Sequence, residues 1–157
     1  MPRLMEYLPE SHILMNLKAK EKFAAIDEMV RFLKEKKLLE DADDALELLR
    51  QREEIYSTGI GRSLAVPHAL SKKIEKTILA LAFIKKGIPF DSIDQSPAHF
   101  VFLLLGPEEN QRTHLQILAK IARFFRDREL RDELMKTKTA KQLRDTLAKY
   151  EKKHGAD

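Results

Sequence analysis

The chain has 157 residues, 43% hydrophobic and 34% charged, which excludes a disordered polymer and fits one domain with a real core. Lys and Arg outnumber Asp and Glu by 29 to 25, a net charge of +4. The basic residues are interleaved with acids, as in "KAKEKF", "KEKKLLED" and "RDRELRDELMK", so they read as a solvated surface and no nucleic-acid partner is expected. Cysteine is absent, which removes disulfide frameworks, thiol catalysis and Cys-type zinc sites and is compatible with a reducing compartment.

No basic, apolar and cleavage-site sequence opens the chain, and the apolar run Ile78–Ile84 is far shorter than the ~20 residues of a membrane helix. A cytoplasmic protein with no membrane insertion is expected.

Between Glu21 and Lys36, Phe23, Ile26, Met29, Val30 and Leu33 recur at helical spacing, which predicts an amphipathic helix. A second helix is expected to start in "EDADD", whose aspartates suit a helix N-terminus, and to run to about Glu54, carrying Arg52 to the edge of a glycine segment. Leu64–Val66 is a short strand candidate ended by Pro67, which lacks the N–H a ladder needs. "TILALAFI" (77–84) and "FVFLLL" (100–105) are apolar in both alternating phases, as strands covered on both faces are.

After Gly106 and Pro107 a long helix carries Leu115, Leu118, Ala119, Ala122 and Phe125, with Leu115 and Leu118 expected in the core. Its start is open between Pro107 at the first helical position and a capping box of Thr113 and Gln116; His114 lies in an early turn either way. Asp127–Met135 reads as a short helix, and Thr139 with Gln142 caps a last one. The C-terminal "KYEKKHGAD" is expected to fray. The fold class that follows is α/β: one domain over 1–157 with its core at about 8–150, a small mixed sheet, and helices on both faces.

The densest local signal is "STGIGRSLAVPHAL", Ser57 to Leu70. It fails the dinucleotide fingerprint, since Leu64 stands where a third glycine is due, and it is not a P-loop. Gly59 and Gly61 fit turn conformations before a strand equally well. His12, His68, His99, His114 and His154 are too widely spaced for a metal motif, so neither metal nor cofactor is expected. Ser57 and Ser63 lack the GxSxG elbow of a hydrolase. A solitary loop histidine does suit one chemistry, attack by neutral imidazole on a phosphoryl group, which needs a fixed ring, donors and a positive group for the oxygens, and a surface that a donor protein can reach.

At this point "REEIYSTGIGRSLAVPHA" (52–69) resembles the active-site signature of the fructose/mannitol-type enzyme IIA family of the bacterial phosphoenolpyruvate-dependent phosphotransferase system. "PFDSIDQSPAHFVFLLLGPEENQRTHLQILAKIA" (89–122) resembles the family's later strand and histidine-bearing helix. "FDSID" and "THLQIL" look closest to the nitrogen-regulatory branch.

The resemblance implies that His68 accepts a phosphoryl group from a histidine phosphocarrier protein, itself charged through enzyme I. Arg52 would counter phosphate charge and His114 would be the second active-site histidine. Thr58, Gly59 and Gly61 are phosphate-loop candidates, with Thr58 open between phosphoryl donor and turn residue. The onward partner would be a regulatory target protein or, in the sugar-transport alternative, an enzyme IIB. Ser63 departs from the pattern, because many members have glycine there.

Overall fold

The structure is a computed structural model, and it describes residues 2–155. Six strands form one mixed sheet: β1 (Ile13–Leu14), β2 (Gly59–Gly61), β3 (Leu64–Ala65), β4 (His68–Ser71), β5 (Ile78–Ile88) and β6 (Ala98–Pro107). The order is β1-β5-β6-β3-β2, with β4 also on β6. Strands β5 and β6 are antiparallel, while β3 and β4 both run parallel to β6, pairing Leu64 with Phe100 and His68 with Leu104.

The double-phase apolar pattern of β5 and β6 builds two cores. Ala80, Ala82, Ile84, Val101, Leu103 and Leu105 point to one, covered by α1 (Lys22–Glu35) and α2 (Ala42–Ile55). Leu79, Leu81, Phe83, Phe100, Phe102 and Leu104 point to the other, covered by α3 (Gln111–Phe124), α4 (Arg128–Met135) and α5 (Ala140–His154). The expected α/β sheet flanked by helices on both faces is the fold observed.

Local chemistry sets the helix starts. The Asp41 side chain accepts from the Asp44 amide at the head of α2, Asp127 from Glu129 at α4, and Thr139 from Gln142 at α5. Neither expected start of α3 is used. Pro107 ends β6, a 3₁₀ turn follows over Glu108–Asn110, and Asn110 caps the helix. Leu115 is 63% exposed instead of buried. The buried stripe of α3 is His114, Ile117, Lys120, Ile121 and Phe124, while Leu118 is half-buried and packs against the core as expected.

The basic C-terminal stretch is helical as far as His154. Its Glu151 carboxylate accepts from the amides of Leu4 (2.6 Å) and Met5 (3.0 Å) and meets the buried Lys120 Nζ at 2.9 Å. The expected fraying therefore does not apply up to His154, and Ala156 and Asp157 lie outside the described residues. The same contacts extend the packed body towards the N-terminus, where Leu4 and Leu8 are buried.

Candidate functional site

Strands β2 and β3 form a hairpin whose two turn residues, Arg62 and Ser63, have φ of +55° and +68°. Two successive left-handed residues match the twist of a tight hairpin and are the usual place for Asn or Gly. Ser63 adopts the conformation without being glycine, and its carbonyl accepts from the amides of His99 and Phe100. Gly61 has φ +94°, and a Cβ there would strike the Asp94 carboxylate; a Cβ at Gly59 would strike Ser92 and the Phe90 carbonyl. Both glycines thus give their open side to the Phe90–Asp94 loop, a packing role.

After the hairpin the chain runs along β6. Pro67 does not end the ladder: its carbonyl accepts from Leu104 at 3.0 Å, and pairing resumes at His68 as β4. The His68 ring is then fixed by its own chain, because Nδ1 lies 2.7 Å from the Val66 carbonyl oxygen. That oxygen can only accept, so Nδ1 carries the proton and the lone pair of the neutral ring sits on Nε2. Among the described residues Nε2 makes no hydrogen bond. The ring titrates below its ordinary value: burial lowers it, the Val66 hydrogen bond raises it, the Arg52 cation lowers it and the Glu53 anion raises it.

His114, one turn into α3, brings its ring to 5.5 Å from that of His68, centroid to centroid. It is 3% exposed, and among the described residues neither ring nitrogen has a hydrogen-bond partner. Burial, with the neighbouring His68, pushes its pKa down to about 4, so it is neutral at pH 7 and retains one N–H to donate. Gly106 makes room for it, since a Cβ there would stand 3.3 Å from His114 Nδ1.

Arg52, in the last turn of α2, folds back on its own chain. Its Nη1 donates to the Tyr56 carbonyl at 3.3 Å, and its guanidinium lies 5.6 Å from the centre of the Tyr56 ring. It is solvent-accessible, and its charge is felt at His68. The structure therefore sets His68 against His114, with the Arg52 charge near enough to lower the His68 pKa. Thr58 is buried, and its hydroxyl donates to Glu53 Oε1 at 2.6 Å while its amide donates to Oε2 at 2.8 Å. Its proton is directed into the protein.

Glu53 escaped the sequence reading. It sits inside the quoted block, yet nothing in the pattern marks it as 3% exposed. Lys22 Nζ, 3.5 Å from Glu53 and 2.8 Å from Asp91, balances it. Among the described residues no group of three or more His, Asp or Glu side chains could hold a metal ion, and no helix is long and apolar enough to cross a membrane.

Residues 6–150 match the model of the phosphoenolpyruvate-dependent sugar phosphotransferase system EIIA 2 family. The chain belongs to this family. It is 36% identical over 141 residues to a nitrogen regulatory protein of Bradyrhizobium diazoefficiens, covering 89% of this chain and 90% of the relative. It is 31% identical over 150 residues to the fructose-specific EIIABC component of Bacillus subtilis, covering 96% of this chain but only 24% of that longer protein. Nitrogen regulatory protein IIA-Ntr from Neisseria meningitidis superimposes with a TM-score of 0.83 at 31% identity, covering 90% of this chain and 97% of the other. The EIIA assignment places the chain among the phosphotransfer components of the phosphotransferase system.

Proposed function

We propose that this EIIA chain accepts a phosphoryl group on His68 Nε2 from a histidine phosphocarrier protein and acts as a regulatory phosphocarrier of the nitrogen type. The observation that carries the reading is the Val66 carbonyl on Nδ1, which leaves the Nε2 lone pair as the ring's nucleophile. That lone pair forms the new N–P bond as the bond from phosphorus to the donor imidazole breaks, and the electron pair leaves with the donor. The His68 ring then carries positive charge shared over both nitrogens, with its Nδ1 proton still held by Val66.

Neutral His114 can donate to a phosphoryl oxygen, and Arg52 can exchange its weak Tyr56 contact for the phosphoryl dianion. Exposed Ile55 and Tyr56 beside Arg52, and Leu115 beside His114, supply apolar area for a docked protein. The nitrogen-type assignment rests on the 36% identical relative and on the fit to IIA-Ntr.

His68→Ala tests the reading: with phosphoenolpyruvate, enzyme I and the carrier protein, wild type takes up label and the variant takes up none. Label on the variant would refute it. The fructose-specific relative favours a second reading, sugar transport through an enzyme IIB. Rapid transfer of label from the phosphorylated chain to a cognate enzyme IIB would establish that route instead.

A further inference from the structure

Glu53 is a buried anion with no part in the reaction so far, although its contacts lead to the reactive ring. It lies at the C-terminal end of α2, where the helix dipole disfavours negative charge, and it still stays out of water. Its two oxygens take the amide and the hydroxyl of Thr58. The Thr58 carbonyl, fixed from that side, accepts from the Val66 amide at 2.9 Å. The Val66 carbonyl accepts from His68 Nδ1.

Between those last two contacts only the φ and ψ of Val66 are free. Pro67 narrows even these, because the residue before a proline is confined to extended conformations. The stretch of the path from the Thr58 carbonyl to the imidazole thus contains little slack.

We propose that Glu53 is a positioning residue for phosphoryl transfer, fixing the tautomer and orientation of His68 through Thr58 and Val66 and stabilising the positive charge that the ring acquires. The proposal rests on His68 as acceptor. The charges that act on His68 are those of Arg52 and Glu53, with neutral His114 against the ring. Arg52 opposes a cationic ring and Glu53 favours it. Its carboxylate is buried and lies 3.5 Å from the Lys22 ammonium.

Glu53→Gln tests this in the full chain. Glutamine offers one acceptor oxygen where Thr58 presents two donors, and it has no charge. The expected result is an acceptance rate lowered about 10-fold or more, equivalent to ~1.4 kcal/mol or more of lost transition-state stabilisation. ¹⁵N spectra of histidine-labelled protein should show a lower His68 titration midpoint and signal from the Nε2–H tautomer. A purely structural role would lower the melting temperature and leave rate, midpoint and tautomer at their wild-type values, and that result would overturn the proposal.

Thr58→Val and Thr58→Ser cover the case in which Glu53→Gln does not fold. The serine variant keeps the hydroxyl and should behave as wild type, while the valine variant should move the tautomer and the rate in the Glu53→Gln direction. A folded valine variant with wild-type tautomer and rate would also overturn the proposal. The tautomer is read without phosphate, so failure of His68 as acceptor and failure of Glu53 as its positioner are separately visible.

Discussion

Glu53 and Glu151 are the same device used at two helix ends, on opposite faces of the sheet. Each is a buried carboxylate near the C-terminal end of a helix, where the dipole opposes it, and each is compensated by two short hydrogen bonds and one lysine. Glu53 takes its hydrogen bonds from Thr58, five residues on, and its restraint passes to the edge that holds His68. Glu151 takes its donors from Leu4 and Met5, so it joins the two ends of the chain and reaches no reactive group. Identical local chemistry therefore serves reactivity in one place and cohesion in the other, and what the restrained backbone leads to decides which.

The sharpest way to break that comparison is to remove the lysine at the cohesive end. Lys120→Met leaves the Glu151 carboxylate buried without its cation and should cost about 3–5 kcal/mol, read as a lower urea midpoint. Phosphoryl acceptance, measured where the variant is still folded, should stay at the wild-type rate. Loss of acceptance on the scale expected for Glu53→Gln would show that both ends serve the site.

Much of this architecture was legible from residue pattern. Phe23 to Leu33 marked α1, the aspartates of "EDADD" and Thr139 marked the starts of α2 and α5, and the double-phase runs of β5 and β6 implied the layers on both sides. The pattern missed β1 and the glycine strand β2, which are two and three residues long, although the equally short β3 was expected at Leu64–Val66. It failed at β4 because Pro67 lacks only a donor, and its carbonyl keeps the ladder going.

It failed in α3 because the buried stripe includes a histidine and a lysine, which a search for apolar spacing passes over in favour of Leu115. In the site, the resemblance supplied His68, His114 and Arg52 as candidates. Glu53 stayed hidden because a charged residue in an acidic helix declares neither its burial nor its partner.

Acid should separate the two ends next. His114 titrates at about 4 in the folded chain, against an ordinary 6.5, so between those values the unfolded chain binds more protons and stability falls as pH falls. The contribution is fully present above about pH 6.5, is lost towards pH 4, and amounts to roughly 3 kcal/mol. His68, also lowered, adds with the same sign.

Burial alone would raise the Glu151 carboxyl, but the amides of Met5 and Leu4 and the Lys120 ammonium outweigh it and hold it low. The cohesive end therefore keeps its contribution until more acid pH. Urea unfolding at pH 7 and at pH 4.5 should show the loss, and His114→Gln should flatten most of it. An unchanged slope in that variant would move the acid-sensitive group away from the site.

The smallest effect concerns backbone strain, which also divides the two regions. Arg62, Ser63, Asp91 and Gln95, four of the five non-glycine residues with positive φ among those described, lie in the hairpin and in the loop on which its glycines pack; the fifth, Lys37, lies just after α1. A left-handed residue with a Cβ costs about 1–2 kcal/mol, part of which glycine recovers while its freer unfolded chain takes some back. Ser63→Gly should therefore stabilise by about 0.5–1 kcal/mol, a rise of a few degrees in melting temperature.

Its effect on phosphorylation should be nil, because glycine keeps the turn and the Ser63 carbonyl's two hydrogen bonds are backbone contacts. A faster acceptor would mean that the serine strains His68 through β3, making the turn part of the positioning path that begins at Glu53. A stabilised protein with an unchanged rate confines that path to Thr58 and Val66, and leaves the hairpin turn as a feature of the fold alone.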